Sequence, residues 1–169
     1  MTKLADEQHR ERSGEDRRKL PTDFNRRNFD RRTKTFLYER TIHLSDTNTF
    51  GNVYFAYFFI FQGECREEFF QFLLGADIIP FMQSGYNILT INAHTDYKAA
   101  LYNGDKIQIQ LRVTEVKRTR VKLEFTIVNK ANEETAAIGY QWICFADPNR
   151  KPIPIPEIFV KHAKRLSIL

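Results

Sequence analysis

The sequence has little of what usually announces a chemical mechanism. It holds only two cysteines in 169 residues, Cys65 and Cys144. Each sits inside an apolar segment, and neither belongs to a CxxC pair or another metal-ligand spacing. Both therefore read as buried, reduced thiols, which points to a cytoplasmic setting. No metal or other cofactor is expected. The longest apolar run, Val53 to Phe61, is too short to span a bilayer. Charged residues occur throughout the first twenty positions, so no secretory signal is expected there.

Charge of one sign is also scarce once the first 34 residues are set aside. Those residues hold eleven of the 26 Lys and Arg and seven of the 21 Asp and Glu, so they carry +4 and the rest of the chain only +1. They contain no aromatic before Phe24 and cannot bury enough surface to fold alone. The division expected is a flexible basic arm over 1–34 and one folded domain over 35–169. Within the arm, Asp16-Arg17-Arg18 recurs as Asp30-Arg31-Arg32. That repeat reads either as solvated low-complexity sequence or as a docking segment for an acidic partner. Nucleic acid is not an expected partner, because the arm offers no reading helix and mixes its bases with acids.

What the domain does have is aromatic residues, fifteen Phe, seven Tyr and one Trp. Phe36, Tyr38, Ile42 and Leu44 alternate as one face of a strand over Thr35 to Leu44, broken by Arg40. Val53 to Leu74 is apolar on most sides, which predicts a long enclosed helix with Asn52 as its N-cap. Gly75 to Gly85 reads as loop. Beyond it the period becomes two: Ile91 to Tyr97, Ile107 to Val113, Val121 to Ile127 and Ala136 to Phe145 are predicted antiparallel strands. A short helix is expected from Glu157. One apolar helix needs a curved sheet around it. The fold class expected is α+β, a curved five-stranded antiparallel sheet wrapped around a long central helix, which resembles the hotdog fold.

From Asp46 the chain reads DTNTFGNVYFAYFFIFQGECREEF. The frame DTxxxGxVYxA, followed by charged residues on the helix, resembles the 4-hydroxybenzoyl-CoA thioesterase group. Thr47-Asn48, Gly51 to Ala56, Gln62-Gly63, Cys65-Arg66-Glu67 and the closing PIPIPE at 152–157 are most similar to the enediyne polyketide thioesterase branch. The resemblance implies hydrolysis of an acyl or polyketide thioester on acyl carrier protein or acyl-CoA. It also implies self-association, as a dimer or a dimer of dimers (a homotetramer). Three positions depart from the broader family. Asn48 stands where many members have Asp, Phe55 where acyl-CoA relatives have His, and Gly63 where they have a helix Glu.

An amide can neither accept a proton at neutral pH nor form a useful acyl anhydride, so Asn48 is not a base or nucleophile. The expected mechanism is positional. Asn48 and Arg66 hold the water or the thioester, and backbone amides of Gly51, Val53, Tyr54 and Phe55 at the helix start form the oxyanion hole. Arg66 enters because its counterpart matters in the enediyne branch; as a guanidinium it can orient but not deprotonate. Tyr57, Phe58, Phe61 and Gln62 are candidate substrate-lining residues.

Each residue also has a structural reading. Asn48 could close an Asx-turn, Arg66 could pair with Glu64 or Glu67, and Asp46 and Glu67 could be plain hydrogen-bond acceptors. Cys65 with His94 and Asp96 invites a Cys-His-Asp reading, but nothing in the spacing places the thiol beside the imidazole. Lys117, Arg118 and Arg120 could meet phosphate or could serve solubility alone. The missing carboxylate keeps two further functions open: a non-catalytic acyl-binding hotdog, and a ligand sensor with a partner-docking arm.

Overall fold

The computed structural model describes residues 28–169. The sheet has six strands: β1 (Phe29–Asp30), β2 (Thr35–Thr41), β3 (Asn87–Tyr97), β4 (Lys106–Val116), β5 (Arg120–Asn129) and β6 (Thr135–Ala146). All neighbours are antiparallel, in the order β1-β2-β4-β5-β6-β3. The sheet curves around α1 (Tyr57–Leu74), with α2 (Ile78–Gln83) following it and α3 (Glu157–Arg165) at the end of the chain. This is the hotdog arrangement expected from the order of elements.

The core lies between α1 and the inner face of the sheet. Phe58, Phe61, Cys65, Phe69 and Leu73 recur at helical spacing and are all buried, facing Ile107, Ile109, Leu111, Leu123, Phe125 and Ile127 from β4 and β5,. Phe159 of α3 closes one end, its ring meeting those of Phe70 at 5.9 Å and Phe145 at 5.2 Å. Full burial of one such aromatic contributes about 1.5–3 kcal/mol, so this block sets the relation of helix to sheet.

Three expectations need correction. The sheet has a sixth strand, β1, whose Phe29 and Asp30 pair with Phe36 and Thr35. Phe29 is buried and its ring stacks on Phe72 at 5.5 Å. The folded part therefore takes in residues assigned to the arm. Asp30 of the second Asp-Arg-Arg triplet closes the β1–β2 turn, accepting from the Arg32 amide at 2.8 Å and the Thr33 hydroxyl at 2.9 Å. The first triplet, at 16–18, lies outside the described residues, as does most of the arm.

Second, Ile78–Gln83 is a helix, not loop. Pro80 is its third residue, where a missing N–H costs no intrahelical bond. Third, α1 begins at Tyr57, four residues after Val53, with Ala56 as N-cap and no side-chain cap. Val53 cannot be helical because its amide donates to Leu101 O at 2.8 Å. Asn52 is held in an extended bridge to Tyr102 rather than capping.

Among the described residues no helix is long and apolar enough to cross a membrane. β3 is an open edge of the sheet, eleven residues long, with a bulge after Thr90 that leaves Ile91 50% exposed,.

Candidate active site

The loop between β2 and α1 is organised by Asp46. Its buried carboxylate accepts from Arg40 Nη2 at 2.6 Å and from the His43 amide at 2.9 Å. Its backbone oxygen accepts from the Tyr54 amide at 2.9 Å. Asp46 Oδ2 is thus committed to holding the loop, and its Oδ1 accepts from no donor among the described residues. The Asn48 amide donates to Asn52 O at 2.9 Å, and Asn48 O accepts from Gly51 N at 2.9 Å. Gly51 makes that turn possible, with φ at +86°,. Asn48 Oδ1 accepts from Phe50 N at 2.8 Å, which is the Asx-turn,. Its Nδ2 donates to nothing among the described residues.

These bonds correct the oxyanion assignment. The amides of Gly51, Val53 and Tyr54 are already spent on Asn48 O, Leu101 O and Asp46 O. Of the amides from Val53 to Ala56, those of Phe55 and Ala56, immediately before α1, donate to no acceptor among the described residues. They sit at the positive end of the helix dipole. Of the four expected donors, only Phe55 keeps a free amide among the described residues, and that of Ala56 beside it is free as well. Sequence does not single out Ala56, because Val53 and Tyr54 look helical and would place the free first-turn amides earlier.

A cavity of about 390 Å³ opens at this junction, lined by Asn48, Val53, Phe55, Phe58, Tyr97 and Leu101 among others. Its walls are apolar apart from Asn48, Asn52 and the rim residue Lys98, and they include no carboxylate and no histidine. Phe58 and Tyr97 meet edge to face at 5.1 Å. The Tyr97 hydroxyl donates to Phe55 O at 3.2 Å, and burial pushes its pKa up, so it stays a neutral donor. Of the four residues expected to line a substrate, only Phe58 faces this cavity. Tyr57 is half-buried and packs toward Phe61 at 6.2 Å. Phe61 is wholly buried beneath the Arg40 guanidinium, 4.2 Å from its ring.

Gln62, also fully buried, belongs to a polar chain inside the protein. Its Nε2 donates to Thr95 Oγ1 at 2.8 Å, and its Oε1 accepts from Gln141 Nε2 at 3.3 Å. Gln141 Oε1 then accepts from Arg66 Nη1 at 2.9 Å, which also donates to Thr90 Oγ1 at 2.7 Å. Arg66 Nη2 pairs with Glu67 at 2.9 Å. Arg66 is nine residues into α1, roughly 13 Å along the axis from Tyr57. Within one chain it meets neither Asn48 nor the cavity, so the expected pairing of Asn48 and Arg66 is not made inside a protomer.

The other candidates separate as well. Cys65 is wholly buried, its thiol against Ile109 O, and desolvation drives its pKa far up. His94 is exposed, 3.2 Å from Asp96 and stacked on Tyr140. No Cys-His-Asp triad forms. Lys117 and Arg120 cover the Trp142 ring at 4.9 and 5.1 Å. Arg120 is opposite Cys144, while Tyr97 is opposite Ala137. That separation is seven residues of β6, roughly 23 Å, so this basic turn lies far from the junction of its own chain.

Comparison with known proteins places this geometry. Residues 42–162 match the family model described as the thioesterase-like superfamily. A 1,4-dihydroxy-2-naphthoyl-CoA hydrolase of Thermosynechococcus vestitus is 31% identical over 121 residues, covering 71% of this chain and 82% of that one. The enzyme of the same name from Microcystis aeruginosa is 33% identical over 121 residues, covering 71% and 86%. Among solved structures, a 1,4-dihydroxy-2-naphthoyl-CoA thioesterase from Synechocystis superposes with a TM-score of 0.69 at 24% identity, covering 79% of this chain and 98% of that one. The dynemicin thioesterase, described with bound polyene, gives 0.69 at 22%, covering 78% and 96%. The matched segment contains the Asp46 loop, the junction and all of α1, and the chain belongs to the thioesterase-like superfamily as a hotdog-fold thioesterase.

Proposed function

We propose that the protein hydrolyses the thioester of a flat, unsaturated acyl group carried on phosphopantetheine, as coenzyme A or on an acyl carrier protein. The observation that carries this reading is the pair of unspent amides at Phe55 and Ala56 beside a cavity lined by Asn48 and aromatic rings. The thioester carbonyl oxygen sits against these N–H groups, water held by Asn48 Nδ2 attacks the carbonyl carbon, and the C–S bond breaks. The departing thiolate takes up the proton. One oxyanion donor is typically worth about 3 kcal/mol of barrier, and a thioester is activated enough to need no strong base.

The hydrolase names of the curated relatives support a CoA thioester with an aromatic acyl group. The Asn48 and Arg66 resemblance supports a polyene on a carrier protein. Release of free thiol from matched acyl-CoA and acyl-carrier thioesters, aromatic and polyene, tests the reading. Turnover of none would overturn it, and the ratio of kcat/KM between carriers fixes the handle.

The active form proposed is a homo-oligomer whose sites are shared. β3 offers a long unpaired edge, and Phe50, Tyr54, Phe55, Tyr97 and Tyr102 are 44–90% exposed around the junction,. Antiparallel pairing of two β3 edges about a twofold brings the Asn87 end of one strand beside the Tyr97 end of the other. Arg66, bonded to Thr90 of β3, then lies toward the partner's junction. Mixing Asn48→Ala with Arg66→Ala protein should restore about a quarter of wild-type turnover, because half the dimers are mixed and each has one intact site. No recovery, with mixed dimers demonstrated, would place both residues' roles within one chain.

A further inference from the structure

Arg40 takes no part in the chemistry above, and in the sequence it only interrupts a strand's apolar face. In the structure its guanidinium is nearly buried, with the side chain 12% exposed. Nη2 donates to Asp46 Oδ2 at 2.6 Å and Nη1 to Glu64 Oε2 at 2.7 Å. The cation thereby joins β2 to two other elements: the loop, through Asp46, and α1, through Glu64.

The free amides lie between those two elements. Asp46 O holds Tyr54 N, and Phe55 comes next. Tyr57 opens the helix that carries Glu64. Only Phe55 and Ala56 separate the segment tied to Asp46 from the helix tied to Arg40. A change in the angle between loop and helix would re-aim both N–H groups, while the cavity walls contributed by Tyr97 and Leu101, outside both loop and helix, would stay in place. The rigid guanidinium fork fixes both carboxylates at once, which a lysine's single ammonium cannot do with the same directionality. Glu64→Gln or Asp46→Asn would leave the cation one countercharge short in a poorly solvated place, although the amide oxygen can still accept.

We propose that Arg40 is a positioning residue of this thioesterase, clamping the Asp46 loop and Glu64 of α1 so that the Phe55 and Ala56 amides point at the developing oxyanion. This rests on the reading that those amides form the oxyanion hole. Because Arg40 does not line the cavity, its loss acts on kcat and leaves KM nearly alone.

The test is steady-state thiol release, on whichever CoA or carrier thioester the wild type turns over fastest, by Arg40→Met, Arg40→Lys, Ala56→Pro and the Arg40→Met/Ala56→Pro pair. Ala56 has φ −66°, which proline adopts, and its N–H bonds no acceptor among the described residues, so Ala56→Pro removes one donor without removing a hydrogen bond there,. Val121→Ala, buried at the far end of β5, is the control for lost stability.

The expected result is a kcat loss of roughly 10- to 100-fold for Arg40→Met with KM within about threefold. Arg40→Lys should recover part of it, Val121→Ala should keep kcat, and the Arg40→Met loss should shrink to about a few-fold when Ala56 is already proline. If Arg40→Met does not fold, Arg40→Lys and Glu64→Gln carry the same comparison. The proposal is overturned if the Arg40 variants keep wild-type kcat, or if their loss is undiminished in the Ala56→Pro background. If Ala56→Pro alone leaves kcat unchanged, the oxyanion reading itself fails, an outcome separable from a failure of Arg40.

Discussion

The start of α1 and its middle use the same kinds of groups in opposite ways. At Gln62 the polar atoms are spent on Thr95 and Gln141, and Gln141 in turn accepts from Arg66, which also bonds Thr90 and Glu67 and keeps one Nη2 proton free among the described residues. At the start, the Phe55 and Ala56 amides and Asn48 Nδ2 have no acceptor among the described residues. The difference teaches where to look for chemistry. Paired polar groups in a core hold the fold, while unpaired ones at the mouth of a cavity are available to a ligand.

If that contrast is right, substitutions in the two regions should fail differently. The largest effect belongs to the unspent end: Asn48→Ala should lower kcat roughly 10²-fold, with thermal stability falling only by the lost Asx-turn, about 1 kcal/mol or less. Unchanged turnover would reduce Asn48 to its turn. Next comes Gly139→Ala in β6. A Cβ there would overlap Gln62 Nε2 and the backbone oxygen of His94. It should cost about 1–3 kcal/mol in urea unfolding.

Gln62→Leu, which strands Thr95 and Gln141, should cost a similar or slightly smaller amount, about 1–2 kcal/mol, while kcat stays within about threefold. A large rate loss there at unchanged stability would erase the distinction between the two regions. The smallest effect is at the surface. Lys130 holds the Glu39 carboxyl below its ordinary pKa. That stabilisation is complete above the ordinary glutamate pKa and disappears as pH falls through the lowered one. Lys130→Ala should therefore lower Tm slightly at pH 7, and the gap should close as pH falls through the lowered Glu39 pKa; both side chains are substantially exposed, so it is worth less than about 1 kcal/mol,.

Much of the fold was legible because its signals are local. The alternation in β4 and β5 and the aromatic run of α1 need only neighbouring residues to be recognised. β1 was missed because Phe29 is a lone apolar residue among charges, and its significance comes from Phe72, on a helix formed later in the chain. The helix start was misplaced because Val53 and Tyr54 look helical by composition, yet their amides are claimed by Leu101 and Asp46. That error placed expected oxyanion donors on amides that bond elsewhere in the chain. Gln62 was read as substrate-lining for want of its partner Gln141, 79 residues away. Arg40 looked like a flaw in a strand because neither Asp46 nor Glu64 is near it on a strand pattern. Asn48 lies at the junction and lines the cavity, and its Asx-turn reading is realised.

The central claim is that hydrolysis proceeds through positioned water and backbone amides, with no carboxylate base. Its most direct test is the pH dependence of kcat between about pH 5 and 8. The account predicts no acid limb in wild type and the same profile shape in Glu67→Gln. An acid limb with an apparent pKa in that range, abolished by Glu67→Gln or Asp46→Asn, would contradict it by showing a carboxylate acting as base.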